Sequence, residues 1–455
     1  MNYQETAYEV MKLFLTDFTK EELQDCINKA YDSKFDTEVI APLVEADGAY
    51  YLELFHGATI AFKDMALSIL PHLLTTSAKK NNVHNEIVIL TATSGDTGKA
   101  ALAGFADVKG TRIIVFYPKH GVSPIQEKQM VTQKGDNTFV VGITGNFDDA
   151  QSALKRIFMS GLREEASEKG VLFSSANSIN IGRLLPQIIY YVWIWLQLRK
   201  NHSIGENERF NVVVPTGNFG NILAGWMAKE IGVPLGQLIC ASNENKVLTD
   251  FFETGVYDIN REFYLTESPS MDILISSNFE RFLYYVLGSA DKVAAAMKAL
   301  NKEGRYAVSE EELADALGEI TGGWASSEDM KRAIKAVYES YDYLMDPHTA
   351  VAYAVYHRLR CEGKIERHSH TVIISTAHPY KFPGIVVEIL GLDETGTPYD
   401  VLRRIEKKTG IPIPFQLGDL EMKEKRFIDI IGKDDVADAV SEYMDDIMNI
   451  RMRNE

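Results

Sequence analysis

The stretch Val212-Val-Val-Pro-Thr-Gly-Asn-Phe-Gly-Asn221 decides the fold class of this 455-residue chain. Its valines predict a short buried strand, its glycines mark a turn, and a helical pattern follows over residues 222–231. The same order of strand, turn and helix occurs where residues 87–90 lead into Thr93-Ser-Gly-Asp-Thr-Gly98. Residues 113–117 and 372–375 supply further short strands. Such repeated units predict an α/β fold with parallel sheets that bind ligands at the carboxyl ends of their strands.

Both glycine-rich turns are suited to binding phosphate. A turn that opens a helix presents unpaired backbone amides and the positive end of the helix dipole. Any α/β sheet also uses glycine at such turns, so that one turn is weak evidence and two turns favour a phosphate-bearing ligand. Neither turn has the Gly-x-Gly-x-x-Gly spacing, which argues against a nucleotide-binding α/β protein.

Composition excludes several classes of partner. The formal charge of −17 opposes broad contact with nucleic acid or anionic membranes. Cys26, Cys240 and Cys361 are odd in number and far apart, as expected of free thiols in a reducing compartment, and we expect a cytoplasmic protein. The apolar run at 184–198 contains Pro186 and is too short for a membrane span, so we predict a buried helix.

The length of the chain predicts more than one domain. We expect residues 1–88 to form an N-terminal segment and the start of a large domain, 89–204 a small α/β domain, and 205–455 the rest of the large domain. Thr19-Lys-Glu-Glu22 has the spacing of a capping box and predicts an early helix. Helical patterns also cover residues 62–78, most of 300–360, and a charged tail at 420–455.

Lys63 is the first candidate for chemistry, within Phe55-His-Gly-Ala-Thr-Ile-Ala-Phe-Lys-Asp64. A lysine partly withdrawn from water has a lowered pKa, which suits the formation of a Schiff base. Most lysines are solvated surface charges, so the position of Lys63 alone does not identify it as reactive. His368-Ser-His370 lacks an acidic or cysteine partner at ligand spacing, and we predict no metal site there.

Together these segments resemble threonine synthases. The resemblance covers most of the chain and rests on four segments: 55–64, Ser268-Pro-Ser-Met-Asp-Ile273 continued by Ser277-Asn-Phe-Glu-Arg281, Asp346-Pro-His-Thr-Ala350 and Thr376-Ala-His-Pro-Tyr-Lys-Phe382. It implies the tryptophan synthase β-like fold (fold type II), with two parallel-sheet domains around a cleft and an N-terminal helical segment. It also implies pyridoxal 5'-phosphate as the cofactor, bound by the large domain.

The resemblance implies a role for each matching residue. Lys63 carries the cofactor as an aldimine, Thr376 bonds the pyridine nitrogen, and Asp96 lies at the phenolic oxygen, where related sequences often have asparagine. The cofactor phosphate is cradled by the turn at Gly217, Asn218, Phe219, Gly220 and Asn221. Ser94 and Thr97 bind the carboxylate or phosphate of the substrate, and a second segment with Asn177, Ser178 and Arg183 recognises its phosphate.

The implied reaction converts O-phospho-L-homoserine and water into L-threonine and phosphate by β,γ-elimination and hydration. Such an enzyme is a carbon–oxygen lyase acting on phosphate in threonine biosynthesis, and we expect a monomer or homodimer. One alternative is a threonine-synthase-like phospholyase that releases 2-oxobutyrate. Another is a binding protein without catalysis, which the retention of Lys63, the 217–221 turn and Thr376 opposes.

Overall fold

The computed structural model describes residues 1–93, 95–317, 320–366 and 368–444, apart from the side chains of 148 and 314–317. Two mainly parallel β-sheets are surrounded by helices, which confirms the predicted α/β class. The larger sheet has the strand order β1-β2-β12-β7-β8-β11. Its strands are β1 Leu43–Ala46, β2 Ala49–Glu53, β7 Phe210–Pro215, β8 Leu235–Ser242, β11 Ile320–Trp324 and β12 Thr371–Ser375.

The strand β7 shows why the sequence forms the larger sheet. Its valines are fully buried, and it pairs in parallel with β12 on one side and β8 on the other. A strand with neighbours on both edges and helices on both faces is mostly apolar, as the run of valines predicted. The pair β1 and β2 is the antiparallel edge of this sheet.

The smaller sheet has the order β13-β5-β4-β3-β6, and all its pairs are parallel. Its strands are β3 Glu86–Ala92, β4 Thr111–Pro118, β5 Thr138–Thr144, β6 Val171–Ser174 and β13 Ile430–Gly432. A short antiparallel ribbon joins β9 Val256–Asp258 to β10 Arg305–Ala307.

The described helices include one after each of β3, β4 and β7, as the predicted strand, turn and helix units required. They are α1 Tyr3–Met11, α2 Lys20–Ala30, α3 Asp64–Leu67, α4 Leu70–Lys80, α5 Asp96–Phe105, α6 Pro124–Val131, α7 Phe147–Phe158, α8 Leu162–Glu168, α9 Ile181–Lys200, α10 Gly220–Glu230, α11 Val247–Thr254, α12 Phe279–Leu287, α13 Ala290–Glu303, α14 Glu310–Leu317, α15 Ser327–Tyr341, α16 Pro347–Cys361, α17 Pro383–Leu390, α18 Pro398–Thr409 and α19 Phe415–Gly418. Thr19 caps α2 in a capping box with Glu22, as predicted. The apolar run at 184–198 lies in the buried helix α9, and among the described helices none is long and apolar enough to cross a membrane.

Two predicted helices differ from the structure. The pattern at 62–78 is split into α3 and α4, where Pro71, which has no backbone N–H, stands in the first turn of α4. The predicted tail helix at 420–455 instead contains a 3₁₀ turn at Leu420–Met422, the strand β13, and helical residues 436–444. Residues 445–455 lie outside the described part of the chain. Pairing with β5 gives residues 430–432 a partner that helical periodicity does not reveal.

The division at 1–88, 89–204 and 205–455 stays a prediction. Two features of the fold cross its boundaries. The smaller sheet begins at Glu86 and recruits β13 from the C-terminal part of the chain. The long helix α9 packs in the same apolar cluster as β7 of the larger sheet and the N-terminal helices α1 and α2.

The turns after β3, β7 and β12 carry most of the predicted site residues.

Candidate active site

Lys63 lies at the start of α3 and is almost fully buried. Its Nζ is 3.4 Å from the hydroxyl of Ser270 and 3.5 Å from a carboxylate oxygen of Asp96. Burial lowers the pKa of the Lys63 ammonium, the charges of Lys381 and Arg183 lower it further, and Asp96 opposes the shift. A larger share of the amine is therefore neutral near physiological pH, which is the form that a nucleophile or base requires.

The loop that carries Lys63 is joined to the segment after β12 by two backbone hydrogen bonds. The amide of Phe62 donates to the carbonyl of Thr376 at 2.8 Å, and the amide of His378 donates to the carbonyl of Ile60 at 3.0 Å. Ile60 has a φ of 53°, an unusual conformation for a β-branched residue, which these bonds hold in place. Lys63 and Thr376 are thereby fixed relative to each other.

Asp96 is the acidic group that faces Lys63. One of its oxygens lies 3.1 Å from Nζ of Lys381 and accepts a hydrogen bond of 2.9 Å from the amide group of Gln126. Burial raises the pKa of the Asp96 carboxyl, but the ammonium groups of Lys381 and Lys63 and the bond from Gln126 outweigh burial and hold the pKa well below its usual range. Asp96 is therefore an ionised acceptor between two lysines.

The turn after β3 is closed by a threonine hydroxyl. Oγ1 of Thr93 accepts hydrogen bonds of 2.9 Å from the amides of Gly95 and Gly98. Gly95 has a φ of 132°, and a Cβ there would lie 2.6 Å from the side chain of Gln126, so that only glycine fits. This geometry directs Asp96, the first residue of α5, toward Lys63.

Of the two residues of this turn that were predicted to bind substrate, the structure describes only Thr97. Thr97 follows Asp96 in the first turn of α5 and is half-buried. Because it stands in the first turn, its backbone amide has no partner inside the helix. Ser94 lies outside the described residues. The roles of both in substrate binding stay predictions.

The turn after β7 presents backbone amides rather than side chains. Phe219 caps α10 with a φ of 62°, and its ring is buried against Phe279 and Phe282 at centroid distances of 4.9 and 5.3 Å. A phenylalanine in this left-handed conformation is strained, and the aromatic packing stabilises it. Phe219 can therefore contribute its backbone to a ligand, together with the first-turn amides of Gly220 and Asn221.

Asn221 offers one further donor. Its side-chain oxygen accepts hydrogen bonds from the hydroxyls of Tyr190 and Tyr191 at 2.7 and 2.8 Å. Its Nδ2 group is buried and has no hydrogen-bond partner among the described residues. A buried N–H without a partner is costly, and a bound anion at this helix start would satisfy it.

Gly217 is in close contact with the segment that carries Ser270. A Cβ at Gly217 would lie 2.4 Å from the carbonyl oxygen of Ser270, a distance that requires the backbone to move. The carbonyl of Gly217 accepts a hydrogen bond of 2.8 Å from the hydroxyl of Ser276. The position of this turn is thus fixed by residues 270–276.

Thr376 is buried at the end of β12. Its amide donates to the hydroxyl of Thr349 at 3.2 Å, and Thr349 in turn donates to the carboxylate of Asp346. Its carbonyl accepts from Phe62, as described above. The side-chain hydroxyl of Thr376 makes no hydrogen bond to the described residues and is available to a ligand.

Arg183 is a buried cation without a carboxylate partner among the described residues. The side chain is 4% exposed, one of its terminal nitrogens donates to the carbonyl of Ala176 at 2.8 Å, and its Nε has no partner. Burial lowers the pKa of the guanidinium to about 10, so that the group remains charged at neutral pH. Its charge also acts on Lys63. A buried unpaired charge is expensive, which indicates that an anionic ligand belongs here.

Ser178 connects the segment of Arg183 to the turn after β7. The hydroxyl of Ser178 lies 3.1 Å from that of Ser277, which donates to the side chain of Asn218 at 3.1 Å. The amide group of Asn278 donates to the carbonyls of both Ser178 and Asn218. Asn177 is exposed, and its role in binding phosphate stays a prediction. The two predicted phosphate-binding segments are therefore neighbours.

Three residues of the site were not predicted: Lys381, Ser270 and Gln126. Lys381 and Ser270 lie in segments that carried the family resemblance, but nothing in the linear sequence indicates that they approach Lys63. Gln126 belongs to a capping box with Ser123 that marks the start of α6, and its amide also donates to Asp96. Its spacing predicts the cap but not the contact with Asp96.

Comparison with known proteins agrees with this geometry. The family model for pyridoxal-phosphate-dependent enzymes matches residues 38–377. Models for the N terminus and the C-terminal part of threonine synthase match residues 1–31 and 349–444. The three matches together span nearly the whole chain.

Individual relatives also belong to the threonine synthases and threonine synthase-like proteins. Threonine synthase of Saccharomyces cerevisiae is 35% identical over 436 residues, which cover 90% of this chain and 83% of the yeast protein. Threonine synthase-like 1 of Mus musculus is 36% identical over 91% of this chain, but the match spans only 56% of the mouse protein. The crystal structure of threonine synthase from Brucella melitensis with bound pyridoxal phosphate has a TM-score of 0.84 at 32% identity and covers 97% of this chain and 88% of its own.

Proposed function

The chain belongs to the threonine synthase family of pyridoxal-phosphate-dependent enzymes, and we propose that it converts O-phospho-L-homoserine and water into L-threonine and phosphate. The observation that carries this proposal is Arg183, a buried cation near Lys63 that has no carboxylate partner in the described ranges. A substrate that brings a phosphate dianion would satisfy this charge. An overall charge of −17 makes such a substrate depend on a few placed cations.

The described residues fit the cofactor. Lys63 offers a buried amine with a lowered pKa, the start of α10 offers amides and the unpartnered Nδ2 of Asn221 for the phosphate, and Thr376 offers a free hydroxyl for the ring nitrogen. Pyridoxal phosphate supplies an electron sink that stabilises negative charge on a carbon of the bound amino acid. A neutral hydroxyl at the ring nitrogen stabilises a protonated ring less than a carboxylate would.

Lys63 is the proposed base of the reaction. Its neutral amine can take the α proton, and the same group can carry protons between neighbouring carbons of the substrate because those carbons lie within one side chain's reach. Asp96 accepts a hydrogen bond from the ammonium form of Lys63, and its ion pair with Lys381 keeps it ionised. Arg183 binds the phosphate, and its fixed donors stabilise the charge that develops as the phosphate leaves.

The relatives favour the synthase over the phospholyase. The chain spans most of the length of the yeast and Brucella threonine synthases but about half the length of the mouse threonine synthase-like 1 protein. Retention of Lys63 in a buried site beside Asp96 argues against a binding protein without catalysis. We also propose a cytoplasmic enzyme that acts as a monomer or homodimer.

We expect the purified protein, loaded with pyridoxal phosphate, to release equal amounts of L-threonine and phosphate from O-phospho-L-homoserine. Chromatography for threonine, a coupled assay for 2-oxobutyrate and a colorimetric assay for phosphate measure the three products on one sample. Phosphate accompanied by 2-oxobutyrate would establish the phospholyase instead. No release of phosphate would contradict both reactions.

Replacement of Gly217 by alanine should weaken binding of the cofactor. The added Cβ would lie 2.4 Å from the backbone oxygen of Ser270, so that the backbone must move and the turn that is proposed to hold the phosphate is displaced. We expect about a 10-fold to 100-fold rise in the Kd for pyridoxal phosphate, the scale of one or two lost charge-assisted hydrogen bonds. Absorbance after dialysis and titration with the cofactor measures it.

Gly161→Ala is the matched control, because Gly161 has a φ of −61° and a Cβ added there would meet no atom within 4 Å. It should bind the cofactor like the parent protein. If Gly217→Ala also retains its cofactor through dialysis, the turn after β7 does not hold the phosphate.

A further inference from the structure

A chain of hydrogen bonds leads from a buried carboxylate to the amine of Lys63. Asp346 is completely buried, and one of its oxygens accepts from the backbone amide of His348 at 2.9 Å and lies 2.8 Å from the ring Nδ1 of the same residue. The other ring nitrogen, Nε2, accepts from the backbone amide of Ser270 at 3.2 Å. The hydroxyl of Ser270 lies 3.4 Å from Nζ of Lys63.

This geometry fixes the hydrogens of the imidazole. The Asp346 carboxylate can only accept, so Nδ1 carries the hydrogen, and the amide of Ser270 can only donate, so Nε2 is bare. The neutral ring therefore holds Ser270 through its backbone. The hydroxyl of Ser270 is left to interact with Lys63.

The two polar neighbours of Lys63 differ in what they can do. The ionised carboxylate of Asp96 only accepts hydrogen bonds, so it can hold the ammonium form but not the lone pair of a neutral amine. A hydroxyl both donates and accepts. Among the described residues that contact Nζ, Ser270 is the group that can hold Lys63 in both protonation states.

We propose that Ser270, held by the Asp346–His348 pair, is the positioning residue that directs the amine of Lys63 while its charge changes. Ser270 accepts a hydrogen bond from the ammonium and donates one to the neutral amine. The role of this contact in turnover rests on the function proposed above. The orientation of the amine is a property of the chain that can be measured without turnover.

The first test follows uptake of pyridoxal phosphate by the cofactor-free protein as a function of pH. Attachment joins Nζ to the aldehyde carbon with the loss of one water and requires the neutral amine. In the parent protein the rate rises with pH to a plateau where Lys63 is neutral. We expect Ser270→Ala to lower the plateau about 10-fold to 100-fold, the cost of a misdirected reacting group. The pH at the midpoint of the rise in uptake rate should not change, because the hydroxyl forms a hydrogen bond with both the charged and the neutral form of Lys63.

The second test measures turnover of O-phospho-L-homoserine by the loaded protein. Ser270→Ala should lower kcat about 10-fold to 100-fold with little change in KM, because the contact acts on the reacting amine rather than on substrate binding. Ser270→Thr, which keeps the hydroxyl, should restore most of both rates. His348→Ala should resemble Ser270→Ala, and His348→Gln, which offers an acceptor to the Ser270 amide, should fall between it and the parent.

Ser268→Ala is the matched control on the same segment. Ser268 is buried and bonds Asn243, but it does not contact Lys63. Its uptake plateau and kcat should match those of the parent. A plateau for Ser270→Ala equal to that of the parent, or an equal loss in Ser268→Ala, would overturn the proposal. If the parent shows no turnover, the uptake profiles still decide the role of Ser270, and the reaction alone is misassigned.

Discussion

Replacement of Lys63 by alanine should abolish turnover, with a fall in kcat of about 10⁴-fold or more, because we propose that this one side chain is both attachment point and base. The variant should also lose the visible absorbance of the cofactor on dialysis. In the parent protein, treatment with borohydride should fix pyridoxal phosphate to the peptide that contains Lys63. Peptide mass spectrometry after proteolysis measures this attachment.

The rival attachment point is Lys99. This residue is one helical turn beyond Asp96, and burial together with the charges of Lys423 and Lys381 lowers the pKa of its amine to about 7. Two buried lysines with lowered pKa values therefore lie near the same site, and the pKa alone does not distinguish them. Lys99 donates to the side chain of Gln133, whereas Lys63 lies against Asp96 and Ser270.

Lys335, an exposed residue on α15, provides the control for loss of a lysine. Lys335→Ala should keep its cofactor and full turnover. Borohydride labelling on the peptide of Lys99, or a Lys63→Ala variant that keeps a coloured, dialysis-resistant cofactor, would contradict the assignment of Lys63. Lys63 would then be a buried structural cation.

Local patterns predicted the elements whose causes are local. The capping box at Thr19 and Glu22 contains its own folding information, because its bonds join residues three positions apart. The strand β13 could not be predicted in this way. It exists because residues 430–432 pair with β5, nearly 290 residues earlier in the chain.

The same distinction applies to the site. Lys63, Asp96 and Thr376 were predicted as site residues because each stands in or beside a recognisable turn or motif. Ser270 and Lys381 reach the site through contacts over more than 200 residues of sequence, and no local pattern records them. Asp96 illustrates the consequence: its sequence position suggested a contact with the cofactor, and the structure adds two lysines that keep it charged.

Replacement of Arg183 by alanine should reduce kcat/KM for O-phospho-L-homoserine about 30-fold to 1000-fold. The guanidinium offers charge-assisted hydrogen bonds to a group that gains charge as it leaves, and their loss costs roughly 2–4 kcal/mol, with each 1.36 kcal/mol a factor of ten. Absorbance of the bound cofactor should hardly change, because Arg183 lies outside the 217–221 turn. Inhibition by inorganic phosphate should weaken in parallel.

The stability of the Arg183→Ala variant separates binding from folding. In the absence of ligand, Arg183 is a buried charge whose side chain, within the described part of the chain, makes one hydrogen bond and leaves Nε without a partner, so its removal also removes a desolvation cost. We therefore expect the ligand-free variant to unfold at a temperature no lower than the parent protein. Addition of inorganic phosphate should raise the melting temperature of the parent more than that of the variant.

Arg199→Ala is the control, because Arg199 lies at the other end of α9 and, among the described residues, its side chain donates only to the carbonyl of Ile204. It should keep normal turnover and normal inhibition by phosphate. Arg183→Lys should recover part of the lost activity, since lysine restores the charge without the fork of donors that matches phosphate oxygens. Loss of the cofactor from Arg183→Ala, or near-normal turnover with unaltered inhibition by phosphate, would assign Arg183 to another task than binding the substrate's phosphate.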